Sequence, residues 1–311
     1  MSVPEKKFGS AVLDRRSKKA AAIMLSLWAL FLLSAMVISW ALNIDTRLTN
    51  SGSASRALEA EAMACSGAEI ALHPNVKAGS SLLRGTFGQN QSYETRVTGE
   101  GGRLNLNLLV AGQNPQFIEL LRRYLEIKGV DLNERDHMID CLLDWVDPDN
   151  LIRLNGAEDD PNYRPANKPL ATLEELKRVR GWSEFTSQPD WDADLTIMST
   201  SPQIDVLWAS RDVLLSLPGM TEGLVDRYLS ARPGPDGIQG TDDDAVKTLA
   251  DFKIAVGVTE VQFAQIAPFV TVNGPILRVV STGRSGTATR TVRMVVSKVG
   301  SAIQLKSWKE L

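Results

Sequence analysis

Ala21-Ala22-Ile23-Met24-Leu25-Ser26-Leu27-Trp28-Ala29-Leu30-Phe31-Leu32-Leu33-Ser34-Ala35-Met36-Val37-Ile38-Ser39-Trp40-Ala41-Leu42 carries no charged side chain, and Lys18 and Lys19 stand directly before it. Bilayer hydrocarbon is about 30 Å thick, and about 20 helical residues cross it. The run therefore predicts a membrane-spanning helix over 21–43. A cleaved secretory signal has a shorter apolar core, about 7–15 residues, and a small-residue cleavage site after it. Here helix-compatible sequence continues from the far end, so a retained anchor is expected. Lys6, Lys7, Arg15, Arg16, Lys18 and Lys19 precede the span, against Glu5 and Asp14. The positive-inside rule then keeps the basic leader 1–20 in the cytoplasm and sends everything after Asn43 across the membrane, in a bacterium into the periplasm.

Residues 44–75 continue as an amphipathic helix. Thr46, Leu48, Ala54, Ala57, Leu58, Ala60, Ala62, Ala64, Ala68, Ile70, Ala71 and Leu72 place small and apolar positions three and four apart, with Arg56, Glu59, Glu61 and Glu69 between them. Asn50-Ser51-Gly52 weakens the middle of this helix, and Pro74 ends it. From 76 to 107 glycines punctuate short strands, Tyr93-Glu94-Thr95-Arg96-Val97-Thr98 alternating like a half-buried one. From 108 to 268 the pattern is helical. Phe117, Leu120, Leu121, Tyr124 and Leu125 form one stripe; Met138, Ile139, Leu142, Leu143 and Val146 form another. Leu173, Leu176 and Val179 mark a third helix, with Thr172 and Glu175 spaced as a capping box. From 269 to 311 strands return, at Phe269–Val272, 276–281, 289–296 and 303–305, broken at Gly274-Pro275, 283–286 and Gly300-Ser301. Strands on both sides of a helical block predict one α+β domain with a helical module inserted between its strands.

Composition excludes several classes. The 311-residue chain has a net charge of −3, too little positive charge for nucleic-acid backbone binding as its main business. Two cysteines, Cys65 and Cys141, supply neither a disulfide framework nor a zinc site. They are either buried small apolar residues or a pair whose proximity sequence cannot show. Two distant histidines, His73 and His137, leave little for triad chemistry, and no Gly-x-Ser-x-Gly elbow occurs. His137 is expected to face solvent between Asp136 and Asp140, and Trp182, Trp191 and Trp208 to anchor the core. A membrane-anchored hydrolase therefore has no nucleophile and base to work with.

The order of parts resembles type IV pilin-like proteins. Within them it resembles the K-type minor pseudopilins of bacterial type II secretion. The likeness is carried by Gly102-Arg103-Leu104-Asn105-Leu106-Asn107, Leu143-Asp144-Trp145-Val146-Asp147-Pro148-Asp149 and Asn155-Gly156-Ala157-Glu158-Asp159-Asp160. Tyr163-Arg164-Pro165-Ala166-Asn167-Lys168-Pro169-Leu170 and Glu174-Glu175-Leu176-Lys177-Arg178-Val179-Arg180-Gly181 extend it. The resemblance implies a long N-terminal helix on a small antiparallel sheet, with a large α-helical (SAM-like) domain inserted. It implies a single-pass inner-membrane protein that caps a periplasmic pseudopilus with other minor pseudopilins, above the major pseudopilin. It also implies cleavage by a prepilin peptidase between Ala20 and Ala21, where the family normally has glycine before the cut. Leu25 then stands where major pilins carry a glutamate, which suits a subunit with none stacked above it. Leu207-Trp208 departs from the asparagine-threonine pair frequent in the family.

Two acidic loops are candidate sites. Asp147, Asp149, Glu158, Asp159 and Asp160 fall in one loop, Asp236, Asp242, Asp243 and Asp244 in another. Several oxygen ligands on a flexible loop are what calcium prefers, at about 10⁻⁴–10⁻³ M in extracellular modules. Either loop reads as a structural calcium site or as a solvated, capped turn, and neither fits the EF-hand spacing. Val179-Arg180-Gly181 and Leu217-Pro218-Gly219-Met220 look like the turns of helix-hairpin-helix modules. A membrane-tethered DNA-binding protein of an uptake apparatus is thus the second reading, and packing of a helical scaffold the plainer one.

Overall fold

The computed structural model describes residues 10–272, 274–299 and 302–311. Residues 1–9 of the expected leader, with Lys6 and Lys7, and the turn at Gly300-Ser301 lie outside the described residues. The chain divides after Leu58 into two units. Helix α1 (Ser10–Leu72) supplies the first and opens the second.

In the first unit, Ala21–Ile44 is long and apolar enough to cross a membrane, and every side chain along it is exposed. Within it Ser26 Oγ donates to Ile23 O at 2.8 Å, and just past its end Thr46 Oγ1 donates to Leu42 O at 2.8 Å. That closure is what a lipid environment demands of polar groups. The expected weak point does not break the helix. α1 runs through Asn50-Ser51-Gly52, where Ser53 Oγ donates to Asn50 O (2.8 Å) and Arg56 Nε to Gly52 O (3.2 Å).

In the second unit the chain passes from the end of α1 into β1 (Arg84–Phe87) and β2 (Gln91–Gly99), then into the helical block. The block runs β3 (Leu104–Asn105), α2 (Leu106–Val110), α3 (Pro115–Ile127), α4 (Leu132–Val146), α5 (Ser183–Ser187) and β4 (Leu195–Thr196). It continues through β5 (Ile204–Asp205), α6 (Arg211–Ser216), α7 (Glu222–Ala231), α8 (Leu249–Val256), α9 (Glu260–Ile266) and β6 (Val270–Thr271). Then β7 (Ile276–Ser285), β8 (Ala288–Val299) and β9 (Ala302–Glu310) follow as antiparallel neighbours.

The main sheet is antiparallel in the order β1-β2-β7-β8-β9, so β7 closes against β2 across the whole helical block. β3 pairs with β4 and β5 with β6, both parallel and two residues long. Of the stretch 269–272, expected to return to the sheet, Val270–Thr271 makes the separate pair with Ile204–Asp205, and the sheet resumes only at Ile276. The third helix is also corrected. Leu173–Arg178 is a 3₁₀ helix, and the Thr172 side chain makes no capping hydrogen bond. Capping boxes form instead at Thr248/Asp251 and Thr259/Gln262.

One face of the sheet takes the end of α1. Ala60, Ala64 and Ala68 are fully buried at four-residue spacing, which lets backbone approach backbone. A Cβ at Gly67 would strike Thr95, Ser281 and Tyr93, and one at Gly283 the backbone of Ala60 and Ala64. Glu59 closes the contact, accepting from Ser285 Oγ at 2.6 Å and Gln91 Nε2 at 3.1 Å.

The larger core lies inside the helical block. Trp145, Trp182, Tyr124, Tyr228 and Phe252 are fully buried. Trp182 Nε1 donates to Met138 O (2.8 Å), Tyr228 OH to Val206 O (2.8 Å) and Tyr124 OH to Asp194 Oδ2 (3.3 Å), so three of these aromatics bury their polar tips satisfied. Trp191 and Trp208 are only half-buried. Trp208 packs where a Cβ at Gly99 or Gly102 would intrude.

Candidate functional site

The acidic loop after α4 is held by that helix. Asp140 Oδ2 accepts from Asn155 N (3.1 Å) and Nδ2 (3.0 Å), and His137 Nδ1 donates to Asn155 O at 2.5 Å. His137 is therefore half-buried and engaged, where solvent exposure was expected. One turn on, Asp144 is fully buried and accepts from Arg153 N at 3.3 Å and from the Arg153 guanidinium. The same guanidinium reaches Asp147 Oδ2 at 2.6 Å. Gly156 passes so close to Asp144 that a Cβ there would overlap its carboxylate.

Around this clasp the acids are unevenly satisfied. Asp149 Oδ1 accepts from Leu151 N (2.9 Å), Asp159 pairs with Arg164 (3.3 Å), and Asp160 pairs with Arg180 (2.6 Å). Glu158 differs. It is 5% exposed, and neither of its carboxylate oxygens has a hydrogen-bond partner; Asp147 Oδ1 is buried and unpartnered too. Burial first, then the charges of Asp144, Asp147 and Asp149, raise the Glu158 carboxyl above its ordinary range. A buried carboxylate without a donor is costly, and a cation would relieve it. Among the described residues, no three carboxylate, histidine or cysteine side chains converge as a ready ligand set.

The second loop is tied up locally. Asp242 pairs with Lys77 (2.6 Å), Asp243 accepts from Thr241 Oγ1 (2.6 Å), Asp244 from Gly240 N (2.8 Å) and Asp236 from Ile238 N (2.7 Å). The hydrogen bond from Lys77 lowers the carboxyl of Asp242, and that from Thr241 lowers the carboxyl of Asp243. These acids have their donors already.

Sequence reading missed a third constellation, under the helical block. Glu100, fully buried in a 3₁₀ turn after β2, takes a bidentate pair from Arg278 of β7: Nε to Oε2 at 2.6 Å and Nη2 to Oε1 at 2.7 Å. Thr196 Oγ1 adds a bond to Oε1 at 2.5 Å, and Arg103 Nη1 approaches Oε2 at 3.4 Å. Burial, and then the Arg278 charge, lower the Arg103 guanidinium to about 10. Beside this pair Arg293 of β8 bonds Asp192 (2.5 Å), and Lys309 of β9 bonds Glu174. Three consecutive strands thus each lend a cation to a carboxylate of the chain inserted between β2 and β7. No signal short of the fold links positions 100 and 278, although Asp144 lay one helical turn before Asp147.

The groups that catalysis or DNA binding would use are committed elsewhere. Cys141 Sγ lies 3.6 Å from His137 Nδ1, but burial and then Asp144 push its thiol up to about 12, the wrong direction for a nucleophile. Gly219 takes the positive φ of a hairpin turn, 71°. Of the arginines nearby, Arg211 pairs with Asp226 (3.0 Å), Arg227 donates to Val256 O (3.3 Å) and Arg232 to Ala209 O (2.8 Å). At the first turn Arg180 holds Asp160 and stacks on Tyr163, and Arg178 and Lys177 lie over Trp145 and Trp191. The plainer reading of these turns, scaffold packing, accounts for their surroundings.

A long helix on an antiparallel sheet, with a helical block spliced between neighbouring strands, defines a pilin-like protein with an inserted module. More particularly, residues 102–188 match the family described as "Type II secretion system (T2SS), protein K". The chain is 28% identical over 138 residues to "Type II secretion system protein K" of Dickeya chrysanthemi, a match covering 42% of this chain and 39% of that relative's length. The fold is similar to a chain in the crystal structure of the GspK-GspI-GspJ complex from the enterotoxigenic Escherichia coli type 2 secretion system. That match has a TM-score of 0.59 at 15% identity and covers 85% of this chain and 99% of that one. The resemblance read from the sequence is borne out: the chain is similar to type II secretion protein K in sequence over part of its length and in fold over most of it.

Proposed function

We propose that the chain is a minor pseudopilin that caps the periplasmic pseudopilus of a type II secretion system, in a complex with other minor pseudopilins above the major one. The observation that carries this is the large helical block between β2 and β7, clamped to the sheet face opposite α1 by the buried Glu100–Arg278 pair and the partly buried Asp192–Arg293 pair. A head of that bulk obstructs the stacking of a further subunit, so a tip position follows. Leu25, where stacking subunits carry an acid, fits the same place. The span Ala21–Ile44 anchors the chain in the inner membrane, basic leader inside and sheet and block in the periplasm. A prepilin peptidase then cuts between Ala20 and Ala21. The work is assembly rather than catalysis.

A structural calcium ion belongs to this reading. Glu158 and Asp147 are the residues that would hold it, with Asp149 and the missed Asp144 adding charge beside them, because both Glu158 oxygens and Asp147 Oδ1 are buried without a donor. Bound there, the ion would neutralise the loop and pin it to α4. Asp159 and Asp160 serve Arg164 and Arg180, and the second loop's acids already have donors.

Deleting residues 108–268, with Glu100→Met and Arg278→Met so that no buried charge is orphaned, tests the capping role. Pseudopili assembled with this chain should lengthen in electron micrographs; unchanged length would refute it.

A further inference from the structure

The helix-bearing face of the sheet is only partly covered. Register places Trp308 opposite Met294, Leu305 opposite Val296 and Ile303 opposite Lys298, so the three large apolar side chains of β9 stand on the face that carries α1. Met294 and Val296 are buried against Ala68 and Ala71, whereas Ile303, Leu305 and Trp308 remain 37%, 54% and 41% exposed. The cause is width. α1 seats over β2 and β7, where Gly67 and Gly283 allow its close approach. A helix about 10–12 Å across covers only two or three strands spaced about 4.8 Å apart. β9, at the sheet edge, falls beyond its reach.

The result is a trough with an apolar floor and an acidic wall. Its wall is the flank of α1 bearing Glu61, Cys65 and Glu69, and Glu310 closes one end. Glu61, Cys65 and Glu69 share one flank of α1 by their four-residue spacing, and burial, then the charges of Glu61, Glu310 and Glu69, raise the Cys65 thiol. The cations nearby offset little of this. Lys309 turns to the opposite face and holds Glu174, and Lys298 reaches Pro74 O at 3.5 Å. Lys306, the residue at the β-bulge, is exposed.

We propose that this trough is the docking surface for the N-terminal helix of a second pilin-like subunit. The incoming helix lays an apolar stripe over Ile303, Leu305 and Trp308 and sets lysines or arginines against Glu61, Glu69 and Glu310. A strand added to the outer edge of β9 would satisfy its backbone but leave this stripe uncovered. A helix lying beside α1 completes the layer and supplies the opposite charge. The inference rests on the assembly reading and goes beyond it by naming the face and the partner element.

The test uses the full-length chain in detergent with I-type and J-type minor pseudopilins, carrying p-benzoylphenylalanine in place of Leu305. Irradiation should join position 305 to the N-terminal helix of one partner, read as a cross-linked peptide by mass spectrometry. Without the photoprobe, Leu305→Ser with Trp308→Ser should weaken the complex about tenfold or more, as loss of a central aromatic anchor does. Glu61→Lys with Glu69→Lys should weaken it too. A complex of undiminished affinity, or a cross-link into a strand, overturns the docking face and leaves the assembly reading standing. No complex with the unsubstituted chain overturns both.

Discussion

Glu158 concentrates the chemistry of the acidic loop in one side chain. Its carboxyl is raised by burial and by Asp144, Asp147 and Asp149, so the folded chain holds its proton more tightly than the unfolded chain does. Stability from that source is complete below the unfolded value, near pH 4, and is lost as pH rises through the raised folded value. Without calcium, Glu158→Gln should therefore unfold at a higher temperature than the parent chain at pH 7. That advantage should vanish below about pH 4, where the parent's carboxyl is protonated in both states. Millimolar calcium should raise the melting temperature of the parent and much less that of the variant. A variant no more stable at pH 7, or equally responsive to calcium, would refute this account of the loop. Glu158 itself was legible, as an acid in a glycine- and proline-containing loop. Its lack of donors was not, because that depends on Arg153 folding back to serve Asp144 and Asp147.

At the scale of elements, the block is held to the sheet by charge. The Glu100–Arg278 pair is buried, bidentate and supplemented by Thr196, so most of its bonding capacity is met. Removing one partner leaves the other charge buried and unpaired, which typically costs about 3–5 kcal/mol. Arg278→Met should destabilise the chain by that order in urea titration, and Glu100→Met with Arg278→Met should recover most of the loss. A double variant as unstable as the single one would show that the pair holds the elements by more than mutual neutralisation. The elements were legible to different depths. The recurrence of small and apolar residues from Ala54 to Leu72 announced an amphipathic helix with one packed side, though not that Ala60, Ala64 and Ala68 would be its seam, and the alternation at 93–98 announced β2. Leu173–Arg178 misled, because a well-spaced Thr172 and Glu175 do not decide between an α turn and a 3₁₀ turn. Val270–Thr271 misled because its partner, Ile204–Asp205, is a parallel segment far back in the chain.

For the whole molecule, the splice is what matters. β2 meets β7 along nine registered residue pairs, from Gln91–Ser285 to Gly99–Leu277, although the whole helical block separates them in sequence. The sheet is thus a pilin-like platform whose two halves flank the block, and the block sits on the face that α1 leaves free. One chain thus carries an apolar helix long enough to cross a membrane, a small-residue helix face packed on the sheet and a helical block on the opposite sheet face. The measurement that bears most directly on this account is co-purification of the full-length chain with I-type and J-type minor pseudopilins from detergent-solubilised membranes, followed by mass determination of the eluted species. The account predicts a single complex containing one copy of each. Elution of the chain alone, with both candidates present and folded, would contradict it.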